Sequence, residues 1–154
     1  MPTVSMSAPG VTIGSTEAIV LNLLSALDEE RIDSAVEFFS HSFVLHDYAL
    51  GLVFSDRAGL TDFFSKRRKL FPEVHFHLQS LLVDGDTAVL RWILEGFAAA
   101  GSYGQRECKV RVMANGASIV ECDSGKIVTW SDYYDGPGSM RTSLLTYFKG
   151  LDEI

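Results

Sequence analysis

The residues with the clearest chemical potential lie in one short run, Val128-Thr129-Trp130-Ser131-Asp132-Tyr133-Tyr134. Read as a strand, its alternation places Val128, Trp130, Asp132 and Tyr134 on one face and Ile127, Thr129, Ser131 and Tyr133 on the other. A carboxylate between two large aromatic side chains is unusual for a face turned to water. On a concave, dry face desolvation would raise its pKa and make Asp132 a usable general base near neutral pH. The alternative is an edge residue, or the buried partner of an arginine with no chemistry. Arg91 is the natural partner: it shares one face of a second strand with Ile93 and Glu95, while Leu90, Trp92 and Leu94 take the other.

Other polar groups are weighed in the same way. His46 and Asp47 end a strand over 42–47 and are candidate proton donors; the alternative is a loop histidine beside a capping aspartate. His75 and His77 would share one face of a strand, but no third ligand accompanies them, so no metal site is expected. Their direction depends on the turn at Asp84-Gly85. A two-residue loop pairs Leu78 with Arg91 and puts both histidines on the Trp92 face; a three-residue loop pairs Gln79 with Arg91 and turns them towards Arg91. Lys66-Arg67-Arg68-Lys69 ends a helix, where cations complement the dipole, and reads as solvated surface. No phosphate loop or dinucleotide fingerprint is present, and no cofactor is expected.

The elements that must position these groups follow from periodicity. Residues 1–14 read as a flexible arm and 15–154 as a single domain. Ser15 or Thr16 caps a helix bearing Val20, Leu23, Leu24 and Leu27, and a short second helix carries Ile32, Ala35, Val36 and Phe39. A third opens at Ser55-Asp56, runs to about Leu70 with Leu60, Phe63, Phe64 and Phe71 inward, and stops at Pro72. The period then turns extended, with strands at 74–83, 87–97, 107–114, 117–122 and 126–134 joined at Asp84-Gly85, Asn115-Gly116 and Ser124-Gly125. After Gly136-Pro137-Gly138 a last helix carries Leu144, Leu145, Phe148 and Leu151. Helices followed by an antiparallel meander predict an α+β fold, with helices covering one face of a curved sheet.

Composition bounds the function classes. With 154 residues, 47% of them hydrophobic, the chain is long enough to bury about 70% of its unfolded surface. Thirteen Lys and Arg against twenty Asp and Glu give a net charge of −7, which argues against nucleic acid or an anionic membrane as partner. The first thirty residues hold no Lys or Arg, so a basic, apolar leader is not expected; no run is long enough to span a bilayer, and the cysteines are Cys108 and Cys122, which the expected Asn115-Gly116 hairpin sends to opposite faces. A reduced, cytoplasmic protein is the expectation.

The order of elements and several motifs together resemble the nuclear transport factor 2 superfamily, in its SnoaL-like and limonene-1,2-epoxide hydrolase branches, over roughly residues 15–148. The motifs are Gly125-Lys126-Ile127-Val128-Thr129-Trp130-Ser131-Asp132-Tyr133-Tyr134-Asp135, with weaker support from Phe43-Val44-Leu45-His46-Asp47, Leu70-Phe71-Pro72 and Asp84-Gly85-Asp86-Thr87-Ala88-Val89. The resemblance implies a cone-shaped fold, with N-terminal helices on a strongly curved mixed sheet around an apolar pocket. It puts the family's base or water-activating aspartate at Asp132, an orienting arginine at Arg91 and a second acid or base at His46 or Asp47. Epoxide hydrolases of this kind carry an aspartate two residues after the arginine; this chain has Ile93 there, so Glu95 or a histidine would have to substitute.

The function so implied is cofactor-independent acid/base catalysis, of cyclase or isomerase type, on an apolar polyketide-, terpenoid- or steroid-like substrate. Trp130, Tyr134, Phe76, Tyr48, Ile93 and Glu95 would bind the substrate, and a tyrosine or histidine would receive its oxyanion. The alternatives are epoxide hydrolysis or dehydration in the same pocket, or a non-catalytic ligand-binding or dimerisation module. The alternating apolar residues of the outer sheet face point to a homodimer.

Overall fold

Ser15 caps the first helix by accepting the amide of Ala18 on its hydroxyl. The computed structural model describes residues 14–103 and 106–135. The arm expected over 1–14 lies outside them except for Gly14, and the helix expected after Gly138 lies outside them altogether. Among the described residues three helices form: α1 (Thr16–Asp28), α2 (Ile32–Val36) and α3 (Arg57–Leu70). Asp56 caps α3 through the amide of Gly59, and Arg67, Arg68 and Lys69 occupy its last turn. Among the described residues no helix is long and apolar enough to cross a membrane.

Six strands of the described residues make one open, curled, mixed sheet: β1 (Phe39–Asp47), β2 (Leu52–Phe54), β3 (Glu73–Asp84), β4 (Thr87–Tyr103), β5 (Arg106–Asp123) and β6 (Lys126–Asp135). Their order is β2-β1-β6-β5-β4-β3. The expected antiparallel meander runs from β3 to β6, and β1 adds to it in parallel beside β6. The fold is therefore the α+β arrangement anticipated, in its nuclear transport factor 2 and ketosteroid isomerase-like form. The helices bury their apolar stripes on the concave face, where Leu23, Phe39, Leu45, Leu60, Phe63, Leu90 and Ile127 are among the fully buried side chains. Each such side chain contributes roughly 1.5–3 kcal/mol relative to an exposed one.

The structure corrects the sequence reading at several points of the fold: α2 ends at Val36, and Phe39, expected on its stripe, opens β1 three residues before the strand was expected to begin. Residues 52–54, expected to be loop, pair with the end of β1 as an edge strand. The hairpin expected at Asn115-Gly116 does not form, because β5 passes through both residues and pairs them with Ile93 and Trp92 of β4. Cys108 and Cys122 consequently stand far apart on one strand, Cys122 buried and unpaired. In β6 a register shift removes Val128 from the inward row and substitutes the fully buried Ile127.

Gly116 has a packing role in place of a turning one. A Cβ there would lie 2.3 Å from the ring of the buried Trp92, so only glycine leaves room for that indole against β5. Gly116→Ala should therefore displace Trp92 and lower stability by about 1–3 kcal/mol, the range for overpacking a core. Chemical denaturation compared with the wild-type chain checks this, and unchanged stability would contradict it.

Candidate active site

Strand pairing decides which groups share the concave space. In the parallel β1–β6 register Asp47 lies opposite Asp132, and Leu45 opposite Trp130, so both aspartates point inward. His46, one residue earlier, lies opposite Ser131 and points outward. There it stacks on Tyr48, which in turn stacks on Tyr133, with ring centroids 5.0 and 4.8 Å apart. Of the two candidate donors the structure thus brings only Asp47 to the cavity.

Asp132 is buried and its carboxylate is asymmetrically held. Its Oδ1 accepts the Ser118 hydroxyl at 2.5 Å and the Trp130 indole N–H at 2.7 Å, while the Trp92 indole N–H donates to Ser118 Oγ at 2.8 Å. No side chain among the described residues donates to Oδ2. Burial pushes the Asp132 carboxyl up to about 6; the Ser118 and Trp130 donors and the more distant charge of Arg67 act against that rise. Asp47 also lies above the usual carboxylate range because of burial. Its Oδ1 accepts the Leu50 amide at 2.9 Å and its Oδ2 the Tyr134 hydroxyl at 2.8 Å. Burial and the neighbouring Asp47 carboxylate raise the Tyr134 phenol in turn.

These groups line one cavity of about 410 Å³, whose other walls include Phe63, Phe64, Phe71, Phe76, Leu78, Trp92 and Leu94. Of the residues expected to bind substrate, Trp130, Tyr134 and Phe76 are in this lining and Tyr48, Ile93 and Glu95 are not. Arg91 does not meet Asp132: its side chain is exposed, on the outer face with Ile93 and Glu95, because the inward row of β4 is Leu90, Trp92 and Leu94. An arginine among apolar neighbours needs no buried partner when the alternation turns it to water.

The histidines are also settled by register. The turn falls at Gly85-Asp86 and pairs Ser80 with Arg91; a bulge at Gln79 then shifts the strand, so that His75 faces Glu95 and His77 faces Ile93. Both are exposed and belong to the outward row, though His75 borders the cavity. Among the described residues no group of three or more His, Cys, Asp or Glu is placed to hold a metal.

Three site residues escaped the sequence reading: Ser118, Trp92 and Arg67. Ser118 was legible as parity, since Val112, Ala114, Gly116, Ser118, Val120 and Cys122 form an unbroken small-residue row that crosses Asn115-Gly116 without a change of phase, and Trp92 through its alternation with Leu90 and Leu94. Arg67, read as part of a solvated basic run, in fact lines the cavity.

This geometry stands beside the comparisons with known proteins. The family model for the SnoaL-like domain matches residues 20–130. The chain belongs to the SnoaL-like family. No curated protein matches it. Among solved structures, a SnoaL-like polyketide cyclase candidate from Jannaschia sp. CCS1 is similar at TM-score 0.68 and 14% identity, over 84% of this chain and 91% of that one. AclR, a hydroxylase candidate from Streptomyces galilaeus, is similar at TM-score 0.65 and 18% identity, covering 93% and 86%. SalBIII, an epoxide hydrolase/cyclase-like enzyme of pyran ring formation in the polyether salinomycin, is similar at TM-score 0.63 and 19% identity, covering 78% and 90%. At such identities the likeness establishes the shared fold.

The raised carboxyl of Asp132 has a consequence for this SnoaL-like chain that needs no substrate. A carboxyl whose folded pKa of about 6 exceeds its ordinary 3.8 binds more protons in the native state, so its contribution to stability declines as pH rises from 4 to 6. Above that window its ionisation costs about 3 kcal/mol. Asp132→Asn keeps an acceptor for Ser118 and Trp130, and should be more stable than wild type at pH 7, by up to about that amount, with the gap closing towards pH 4. Urea denaturation across this range checks it; an equal loss of stability at every pH would contradict it.

Proposed function

We propose that this protein is a cofactor-independent acid/base enzyme of cyclase or isomerase type, acting on an apolar polyketide-, terpenoid- or steroid-like small molecule with Asp132 as the base. The observation that carries this reading is the Asp132 carboxylate, anchored through Oδ1 alone, in the wall of an apolar cavity of ligand size. One oxygen is fixed by two donors, and the other is available to a proton on the substrate. A pKa near 6 leaves the carboxylate mostly ionised at neutral pH while making it a stronger base than an exposed aspartate. Aromatic walls from Trp130, Tyr134 and Phe76 would hold the substrate against it. Arg91 and His46, both directed outward, have no place in this mechanism.

Proton abstraction can be tested without the natural substrate. In deuterium oxide the chain should accelerate exchange of the α-protons of 2-tetralone, followed by NMR, with an acid limb near pH 6. Asp132→Asn should slow this by at least about a hundredfold. Full exchange in that variant would sink the assignment of the base.

A second reading has its own support in the paired carboxylates. Asp47 and Asp132 enter one cavity from adjacent strands, both with raised pKa, and a protonated Asp47 could supply the acid that Ile93 cannot. Opening of an epoxide by water or by a substrate hydroxyl would use the pair as acid and base.

Homodimerisation is proposed through the outer sheet face. Val89, Met113, Ile119 and Tyr133 are exposed there, and Arg91 and Glu95 put both signs of charge on the same face, so a two-fold axis can set each against its opposite. Sedimentation at micromolar concentration should show a dimer, weakened by Ile119→Glu; a monomer throughout would contradict it.

A further inference from the structure

Two guanidiniums border the cavity, those of Arg67 and Arg68, and the surroundings of Arg67 are unlike those of its neighbours in the chain. Lys66 pairs with Asp62 at 2.8 Å and Arg68 with Glu30 at 2.7 Å. Arg67 makes no ion pair among the described residues. Its guanidinium carbon lies 5.2 Å from the centroid of Phe63 and 5.4 Å from that of Phe64, both buried rings in the cavity wall. The rings hold a cation beside apolar space, and no carboxylate among the described residues pairs with its N–H fork.

The other donors around Asp132 are already committed. The Tyr134 hydroxyl donates to Asp47, the Ser118 hydroxyl and the Trp130 N–H to Asp132, and the Trp92 N–H to Ser118. His46 and His77 do not line the cavity, and His75 is exposed beside it. A tyrosine or histidine is therefore poorly placed to receive negative charge from a substrate. The Arg67 charge, by contrast, is felt by Asp47, Asp132 and Tyr134 alike.

We propose that Arg67 is the oxyanion-binding group of the cavity and selects substrates whose acidic C–H is conjugated to a carbonyl or phenol-like oxygen. The inference rests on Asp132 acting as the base. Asp132 Oδ2 takes the proton; the C–H electron pair becomes a C=C bond, the carbonyl π pair moves to oxygen, and that oxygen accepts from Arg67. Total charge is conserved, since the negative charge lost by Asp132 reappears on oxygen. Returning the proton to another carbon gives an isomer. Attack of the enolate carbon on a second carbonyl of the same molecule forms a C–C bond, and the resulting alkoxide takes the proton back from Asp132.

Two probes test Arg67 apart from the base. 4-Nitrophenol absorbs differently as phenol and phenolate, and 4-nitrotoluene is its neutral isostere. Both tryptophans of the chain, Trp92 and Trp130, line the cavity, so quenching of their fluorescence reports occupancy. In wild type, bound 4-nitrophenol should be enriched in phenolate relative to the free probe at the same pH. Arg67→Met should lower the bound phenolate-to-phenol ratio about tenfold, which is one unit of pKa. Arg67→Lys should keep most of the preference, and all three proteins should bind 4-nitrotoluene equally, which also shows that the cavity is intact.

Asp132→Asn should keep the phenolate preference even though it slows proton exchange on 2-tetralone at least about a hundredfold, so the two assignments fail separately. An unchanged phenolate share in Arg67→Met, with 4-nitrotoluene still bound, would overturn the role of Arg67 alone. If neither probe quenched the wild-type protein, the cavity would not be a binding site and both readings would fall.

Discussion

Placing the Asp132 carboxylate beneath a sheet and three helices removes it from water, and much of the surrounding architecture can be understood as meeting that demand. An ionised carboxylate is tolerated in such a place only with donors aimed at it. Two of these come directly from Trp130 and Ser118, and a third, Trp92, acts through Ser118. The donors are delivered by three adjacent strands, β4, β5 and β6, so the site depends on their register. Because all the donation falls on one oxygen, the carboxylate is oriented without being neutralised. This is the condition under which a buried acid retains proton affinity.

The need to seat two indoles against the sheet explains the composition of β5. Its inward row alternates among Val, Ala, Gly, Ser and Cys, and the row is lowest at Gly116, where the Trp92 ring lies. Larger residues would push Trp92 away from Ser118 and break the relay to Asp132. The same small row leaves volume between sheet and helices, so the features that secure the carboxylate also contribute to the cavity. Local twist from the Gln79 bulge and the β5–β6 register shift lets the sheet wrap that space.

Charge is partitioned by the sheet. The inner face holds Asp47, Asp132 and, from α3, Arg67; the outer face carries Arg91, Glu95, His46 and His77 among exposed apolar side chains. The net charge of −7 is thus largely a property of the surface, and the chemistry depends on a few groups whose environments differ sharply from it. Asp47 and Asp132 differ too, since Asp47 has both oxygens occupied by Leu50 and Tyr134 while Asp132 has one. Two carboxylates in unequal surroundings are the usual basis for dividing acid and base roles.

Much of this was legible in the residues themselves. The Ser15 and Asp56 caps, the stripes of α1 and α3, the strand character from residue 74 onward and the inward alternation of Trp130, Asp132 and Tyr134 all arise from local periodicity, which the chain carries in its own order. The Asn115-Gly116 pair misled because a turn signal is also local, whereas the reason for glycine there is an indole from another strand. Tertiary structure alone decided which aspartates face each other, why Arg91 and His46 turn away, and how Arg67 leaves a basic run to enter the cavity. Those outcomes depend on pairing register, bulges and helix placement, set by contacts between residues far apart in the chain, and a one-residue shift in a strand would have reversed the face on which each of its side chains lies.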